Sequence, residues 1–152
     1  MATMFEGRTL LISKNQEIND SEFNNLVKLN ESSYGNKFVE FDSIPNAKVE
    51  FDRLTADNIK CKYSNYYLFV RFSLEKNQNK DELVNRISTE LTSKFDNLNI
   101  LNINLYEKEN KMLGFGQVVL DRLDDIKQVL ADNKINLSDD NTVSFYKFNR
   151  AR

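Results

Sequence analysis

The chain has 152 residues, 40% hydrophobic and 29% charged, with a net charge of −2, one cysteine and no histidine. That is room for one ordinary domain, or two small ones, with a real core. It excludes an internal disulfide framework, Ser-His-Asp and Cys-His catalysis, and every His-ligated metal site.

A globally basic nucleic-acid binder is excluded as well, whereas a binder that stacks bases behind a small basic rim is not. Cut after Asn65, the first part carries 8 basic and 10 acidic residues and the second 13 of each, so charge does not choose between the halves. The longest apolar run, Tyr66 to Val70, is too short to span a bilayer. No apolar stretch follows Met1, so neither a membrane segment nor a secretory leader is expected. The lone Cys61 fits a reducing, intracellular compartment, cytoplasmic or nuclear. The heavy use of asparagine reads as composition rather than function.

In chain order, Thr9 to Ser13 is expected to be a strand. Ser21 to Asn30 reads as a helix through Phe23, Leu26 and Val27, and Lys37 to Phe41 reads as a strand. Ser43 to Leu54 reads as a second helix: Ser43 is a plausible N-cap, Pro45 sits in the first turn where its missing N–H is harmless, and Ala47, Phe51 and Leu54 form the stripe. Asn58 to Tyr63 closes this half. Only Glu31 to Asn36 separates the first helix from the strand at Lys37, so a further strand there is expected to be missing or vestigial.

The second half has a clearer rhythm. Tyr67 to Leu74 is aromatic and β-branched and reads as a strand, followed by a polar loop from Glu75 to Lys80. From Asp81 the period changes: Leu83, Ile87, Leu91 and Phe95, widened by Val84, predict a helix. Ile100 to Tyr106 alternates, with Leu101, Ile103 and Leu105 on one side and Asn102, Asn104 and Tyr106 on the other. Glu107 to Lys111 reads as a charged turn and Leu113 to Leu120 as a strand. Asp121 to Asn133 returns to helical spacing through Leu123, Ile126, Val129 and Leu130, with Asp121 or Asp124 as its cap. Leu137 to Asn141 reads as a turn and Thr142 to Phe148 as the last strand. The order β-α-β-β-α-β is the split βαβ, or ferredoxin-like, arrangement. The expected fold class is therefore α+β: an antiparallel sheet with two helices on one face, preceded by a shortened module. The expected domains are 8–65 and 66–148. The short junction at Asn65 predicts halves that pack rigidly or share an edge.

Two strands carry a resemblance. Leu113-Gly114-Phe115-Gly116-Gln117-Val118-Val119-Leu120 resembles the RNP1 motif of the RNA recognition motif (RRM) family, basic-Gly-aromatic-Gly/Ala-aromatic-Val-x-aromatic. Leu68-Phe69-Val70-Arg71-Phe72-Ser73 resembles that family's RNP2. Both stand on the strands the family requires, and the resemblance covers Tyr66 to about Phe148. The departures are Leu113 for the basic residue, Gln117 for the second stacking aromatic and Phe72 for the RNP2 asparagine. In the first half, Lys37-Phe38-Val39-Glu40-Phe41 looks like the end of RNP1. Asn36 and Leu11 stand there where the other rings belong, and Glu40 would repel phosphate. This copy is expected to support structure or bind protein.

The resemblance implies binding of single-stranded RNA by stacking on the open sheet face, as part of a larger post-transcriptional regulator. Alternation places Phe69 and Arg71 on the face shared by Phe115 and Gln117. Phe69 and Phe115 are the expected stacking rings, Gln117 a base-edge contact, and Arg71 and Lys147 phosphate contacts. Asn102, Asn104, Tyr106 and Tyr146 complete the face. A protein-binding scaffold is the alternative, since a helix, a neighbouring domain or a second copy would also cover exposed rings.

Asp124-Asp125 and Asp139-Asp140 read as caps and turn formers rather than metal or acid–base groups. Cys61 reads as a buried or edge-strand thiol. Lys60-Cys61-Lys62 and the tail Lys147, Arg150 and Arg152 are the basic clusters, the tail weighed evenly between solvated surface and RNA contact. An enzyme on this topology is not expected, for want of histidine, convergent carboxylates or a Gly-rich phosphate loop. No cofactor and no metal are expected.

Overall fold

Two clusters of buried apolar side chains organise the protein, and each is built on its own antiparallel sheet. The structure, a computed structural model, describes residues 5–14, 23–32, 34–74, 79–138 and 141–148. It divides into two units, Met1–Asn65 and Tyr66–Arg152.

In the first unit, β1 (Thr9–Ile12), β2 (Leu26–Glu31), β3 (Lys37–Phe41) and β4 (Cys61–Tyr63) lie in the order β2-β3-β1-β4. Leu10 pairs with Val39 on one side and Tyr63 on the other. With Ile12 and Phe41 these residues bury against Ala47 and Leu54 of α1 (Ile44–Ala56). Ser43 caps α1 as expected, its Oγ accepting the Asn46 N–H at 3.2 Å, with Pro45 in the first turn. The helix ends through Asn58, whose φ of 61° lets the Ile59 N–H reach the Leu54 carbonyl at 2.9 Å.

The expected helix from Ser21 to Asn30 is corrected: Leu26–Asn30 belong to β2, while Ser21 lies outside the described residues. A bulge between Leu26 and Lys28 explains the misreading. It lets Leu26 and Leu29 face Phe41 and Val39, three residues apart, which imitates a helical spacing, and it leaves Val27 57% exposed. The strand expected to be missing is therefore present. Its hairpin connection follows Glu31, closed by the Ser32 N–H on the Asn36 carbonyl at 2.8 Å and by Gly35 at φ 88°.

In the second unit, β5 (Tyr66–Arg71), β6 (Ile100–Lys108), β7 (Lys111–Leu120), β8 (Lys134–Ser138) and β9 (Asn141–Lys147) lie in the order β6-β7-β5-β9-β8. Helices α2 (Lys80–Lys94) and α3 (Leu123–Ala131) pack on one face. Leu83, Ile87, Leu91 and Phe95 bury as the stripe predicts, with Ile126 and Val129 beside them. They meet Leu68, Val70, Val118, Leu120 and Phe145 from the sheet. The fold class is α+β. Asn79 caps α2 through its Oδ1, which accepts the Glu82 N–H at 3.1 Å. The β6–β7 turn has Glu109 and Asn110 at φ 54° and 65° between paired Lys108 and Lys111, the geometry of a tight type I′ hairpin.

Two details differ from the sequence reading. Neither Asp121 nor Asp124 caps α3: the N-cap position is Arg122, with no side-chain capping bond. Asp121 is buried and accepts from Asn99 Nδ2 at 3.1 Å. Asp125 is buried and held by Arg122 Nε and Nη2 at 3.3 and 2.7 Å. The expected turn from Leu137 is also a strand: Lys134–Ser138 forms β8, where Ile135 faces Val143 and buries. Asp139 and Asp140 lie outside the described residues. Arg86 Nη2 and Lys94 Nζ of α2 donate to the Leu137 and Lys134 carbonyls of β8.

Candidate nucleic-acid interface

The face of the second sheet turned away from α2 and α3 is assembled by register. Phe69 stands directly opposite Gln117 on β7 and Tyr146 on β9, and Arg71 stands opposite Phe115 and Ser144. Asn104 stands opposite Gln117, and Asn102 opposite Val119. Because side chains alternate along a strand, residues paired this way share a side.

The rings form a row across four strands. Tyr146 and Phe69 lie 6.5 Å apart between centroids, Phe69 and Phe115 are stacked at 5.8 Å and 30°, and Tyr106 meets Phe115 edge-on at 5.5 Å and 89°. Tyr106 Oη donates to Gln117 Oε1 at 3.4 Å. Phe69, Phe115, Gln117 and Tyr106 are half-buried, while Arg71, Asn104 and Tyr146 are exposed. Burial pushes the Tyr106 phenol above its ordinary pKa, so it keeps its proton.

Two glycines of the RNP1-like strand make the row possible. Gly114 has a φ of +88°, and its carbonyl accepts the Phe72 N–H at 2.9 Å. A Cβ on Gly116 would stand 2.2 Å from the Asn104 carbonyl oxygen, so only glycine lets β6 pair closely beside Phe115.

Of the nine residues expected at the site, the structure brings Phe69, Arg71, Asn102, Asn104, Tyr106, Phe115, Gln117 and Tyr146 to one face. Lys147 is set apart: it is exposed but pairs with Leu68, a core residue, so the register assigns it to the helix side. Arg150 and Arg152 lie outside the described residues. The sequence reading did not include Tyr67 and Phe148, whose rings pair at 6.0 Å. The signal was present, since Tyr67 stands two residues before Phe69 and Phe148 two after Tyr146.

In the first unit, Phe38 pairs with Leu11 and Asn30, and Glu40 with Thr9 and Lys28. That face offers one ring, and Glu40 is buried. Cys61 is a half-buried thiol on an edge strand, pushed up by burial against a lowering hydrogen bond from Thr55, which disfavours a thiolate. Among the described residues no helix is long and apolar enough to cross a membrane, and no three His, Cys, Asp or Glu side chains gather as metal ligands.

No family model and no curated protein matches this chain. Solved structures to which this chain is similar include the following. The C. elegans NONO-1 homodimer is 12% identical at a TM-score of 0.49, over 99% of this chain and 66% of that one. The RNA-binding domain of Hrp1 in complex with RNA is 16% identical at 0.41, over 97% and 99%. The Sxl-lethal protein/RNA complex is 16% identical at 0.41, over 93% and 99%. The second unit is RRM-like by its own strand order, by its helices on one face and by the two motif strands lying side by side at its centre.

Proposed function

We propose that the protein is a single-stranded RNA-binding module of a post-transcriptional regulator and that it binds by stacking bases on the open face of the second sheet. The observation that carries this reading is the ring row Tyr146–Phe69–Phe115–Tyr106, interleaved with the polar side chains Gln117, Asn104 and Arg71. A core-facing row would have no use for those polar neighbours. Flat rings at this spacing suit successive bases, and each stacked base contributes roughly 1–3 kcal/mol. Phe69 and Phe115 stack, Gln117 and Asn104 read base edges, and Arg71 positions a phosphate. Residues 8–65 and 66–148 act as two modules, the first structural or protein-binding. The activity is binding, without catalysis or cofactor, in the cytoplasm or nucleus.

The test is fluorescence anisotropy of the full chain with short labelled RNA homopolymers at low salt. Phe69→Ala or Phe115→Ala should weaken binding about fivefold to a hundredfold, the equivalent of one lost stacking contact. Thermal stability should fall by the ring–ring contact, about 1 kcal/mol, together with the area each half-buried ring covers, without unfolding the domain. Folded variants that bind as before would sink the stacking reading. One observation favours a protein-binding scaffold as the second reading: Leu74 and Leu113 are 57% and 41% exposed at the Gly114 end of the motif strands. An unmodified protein that binds no RNA at low salt would put the scaffold in its place.

A further inference from the structure

Gln117 stands where the resemblance leads one to expect a ring, and it does not stand alone. It lies directly across from Phe69, so a base stacked on that ring has its edge beside the Gln117 carboxamide. The amide oxygen is already engaged by Tyr106 Oη at 3.4 Å. Nε2 has no partner among the described residues. The edge-on contact with Phe115 fixes the Tyr106 ring and thereby the direction from which its hydroxyl approaches.

A free glutamine amide is ambivalent. It donates through Nε2 and accepts through Oε1, and so pairs in two places with an edge that alternates donor and acceptor. Adenine has such an edge at N6/N7, and uracil at N3/O4. With Tyr106 taking one of the two lone pairs of Oε1, the amide keeps its N–H groups fully free and only one lone pair to accept with. We infer that Tyr106 is a positioning residue that turns Gln117 into a donor, so that the site selects bases with two neighbouring acceptors: cytosine through O2 and N3, or guanine through O6 and N7. This rests on the stacking reading above and adds to it a base preference. The mechanism is subtractive. Uracil N3–H and adenine N6–H would have to share Oε1 with the Tyr106 hydroxyl, and a poorly paired donor weakens binding. Because its burial favours the neutral phenol, Tyr106 donates throughout the physiological pH range.

The experiment measures Kd of the full chain for labelled octamers of C, U and A, with the unmodified protein, Tyr106→Phe and Gln117→Leu. The unmodified protein should bind C octamer most tightly, about fivefold to tenfold over U, the worth of one hydrogen bond. Tyr106→Phe keeps the ring and its contact with Phe115 but frees Oε1. Its C-over-U ratio should fall to about one or invert. Gln117→Leu should bind all three alike. An unmodified protein that prefers U or A overturns the inference and leaves stacking intact. So does a Tyr106→Phe protein that binds with an unchanged ratio. If no octamer binds the unmodified protein, the stacking reading itself fails and the preference falls with it.

Discussion

Tyr63 shows how a single hydroxyl can work against its own fold. Its ring stacks on Phe51 at 4.8 Å and belongs to the first core, yet its Oη is buried without a hydrogen-bond partner among the described residues. Burial first, then Glu6, Asp52 and Cys61, push its phenol up to about 12. An unfolded tyrosine titrates near 10, so between about pH 10 and 12 the unfolded chain sheds a proton that the folded one keeps, and stability falls as pH rises. Tyr63→Phe should leave stability at neutral pH unchanged or raise it by about 1 kcal/mol. It should also flatten the alkaline fall in melting temperature, read from thermal melts between pH 8 and 12. A loss at neutral pH would mean that the hydroxyl has a partner. The same scale explains the asparagines. Asn25, Asn58, Asn97 and Asn110 are four of the five non-glycine residues with positive φ among those described. What reads in the sequence as composition is partly backbone geometry, because asparagine tolerates the left-handed region that turns and helix ends need.

At the scale of elements, the start of α3 rests on an ion pair rather than a cap. The Asp125 side chain is 1% exposed, and Arg122 both clamps it and donates from Nη2 to the Asn97 carbonyl at 3.0 Å, tying α3 to the end of α2. Arg122→Ala would take the cation away from a buried carboxylate, and breaking a buried pair costs up to about 3 kcal/mol. Urea unfolding measures it, and a loss below about 1 kcal/mol would show that the carboxylate is supported from elsewhere. The sequence announced acids at this helix start but not their use, since a cap and a buried pair have the same spacing along the chain. Strand β2 was illegible for a related reason: a bulge inserts one residue and moves Leu26 and Leu29 out of period two. Strand β8 did alternate, through Ile135 and Leu137, but two apolar residues beside Asp139-Asp140 resemble the run-up to a turn. The long elements, α2 and β5 to β7, were legible because many residues repeat one period.

Over the whole molecule, charge sets the character of the proposed binding. The chain is acidic by −2, and the ring face carries Arg71 while the register sends Lys147 to the other side. Each phosphate neutralised on a single strand contributes about −0.7 to the slope of log K against log salt. The slope for RNA octamers should therefore be shallower than about −2, measured by titrating salt from 50 to 300 mM (roughly the range over which counterion release is read). A steep slope would mean that binding runs through cations away from the ring face. The ring face itself was legible from the alternation of β5 and β7 once the motif strands were aligned. The position of Lys147 was not, because its side depends on which residue of β5 it meets across the ladder, a fact of pairing and not of spacing.

The two cations that α2 extends to β8 bear on how the protein behaves in a crowd. A strand at the rim of a sheet is a template on which a stranger's backbone can lie, and repeated addition of that kind is the route to fibres. With Arg86 and Lys94 occupying the carbonyls of Leu137 and Lys134, a newcomer would first have to displace two charged side chains to reach them. This border of the sheet is therefore guarded at two of its carbonyls by the chain's own helix.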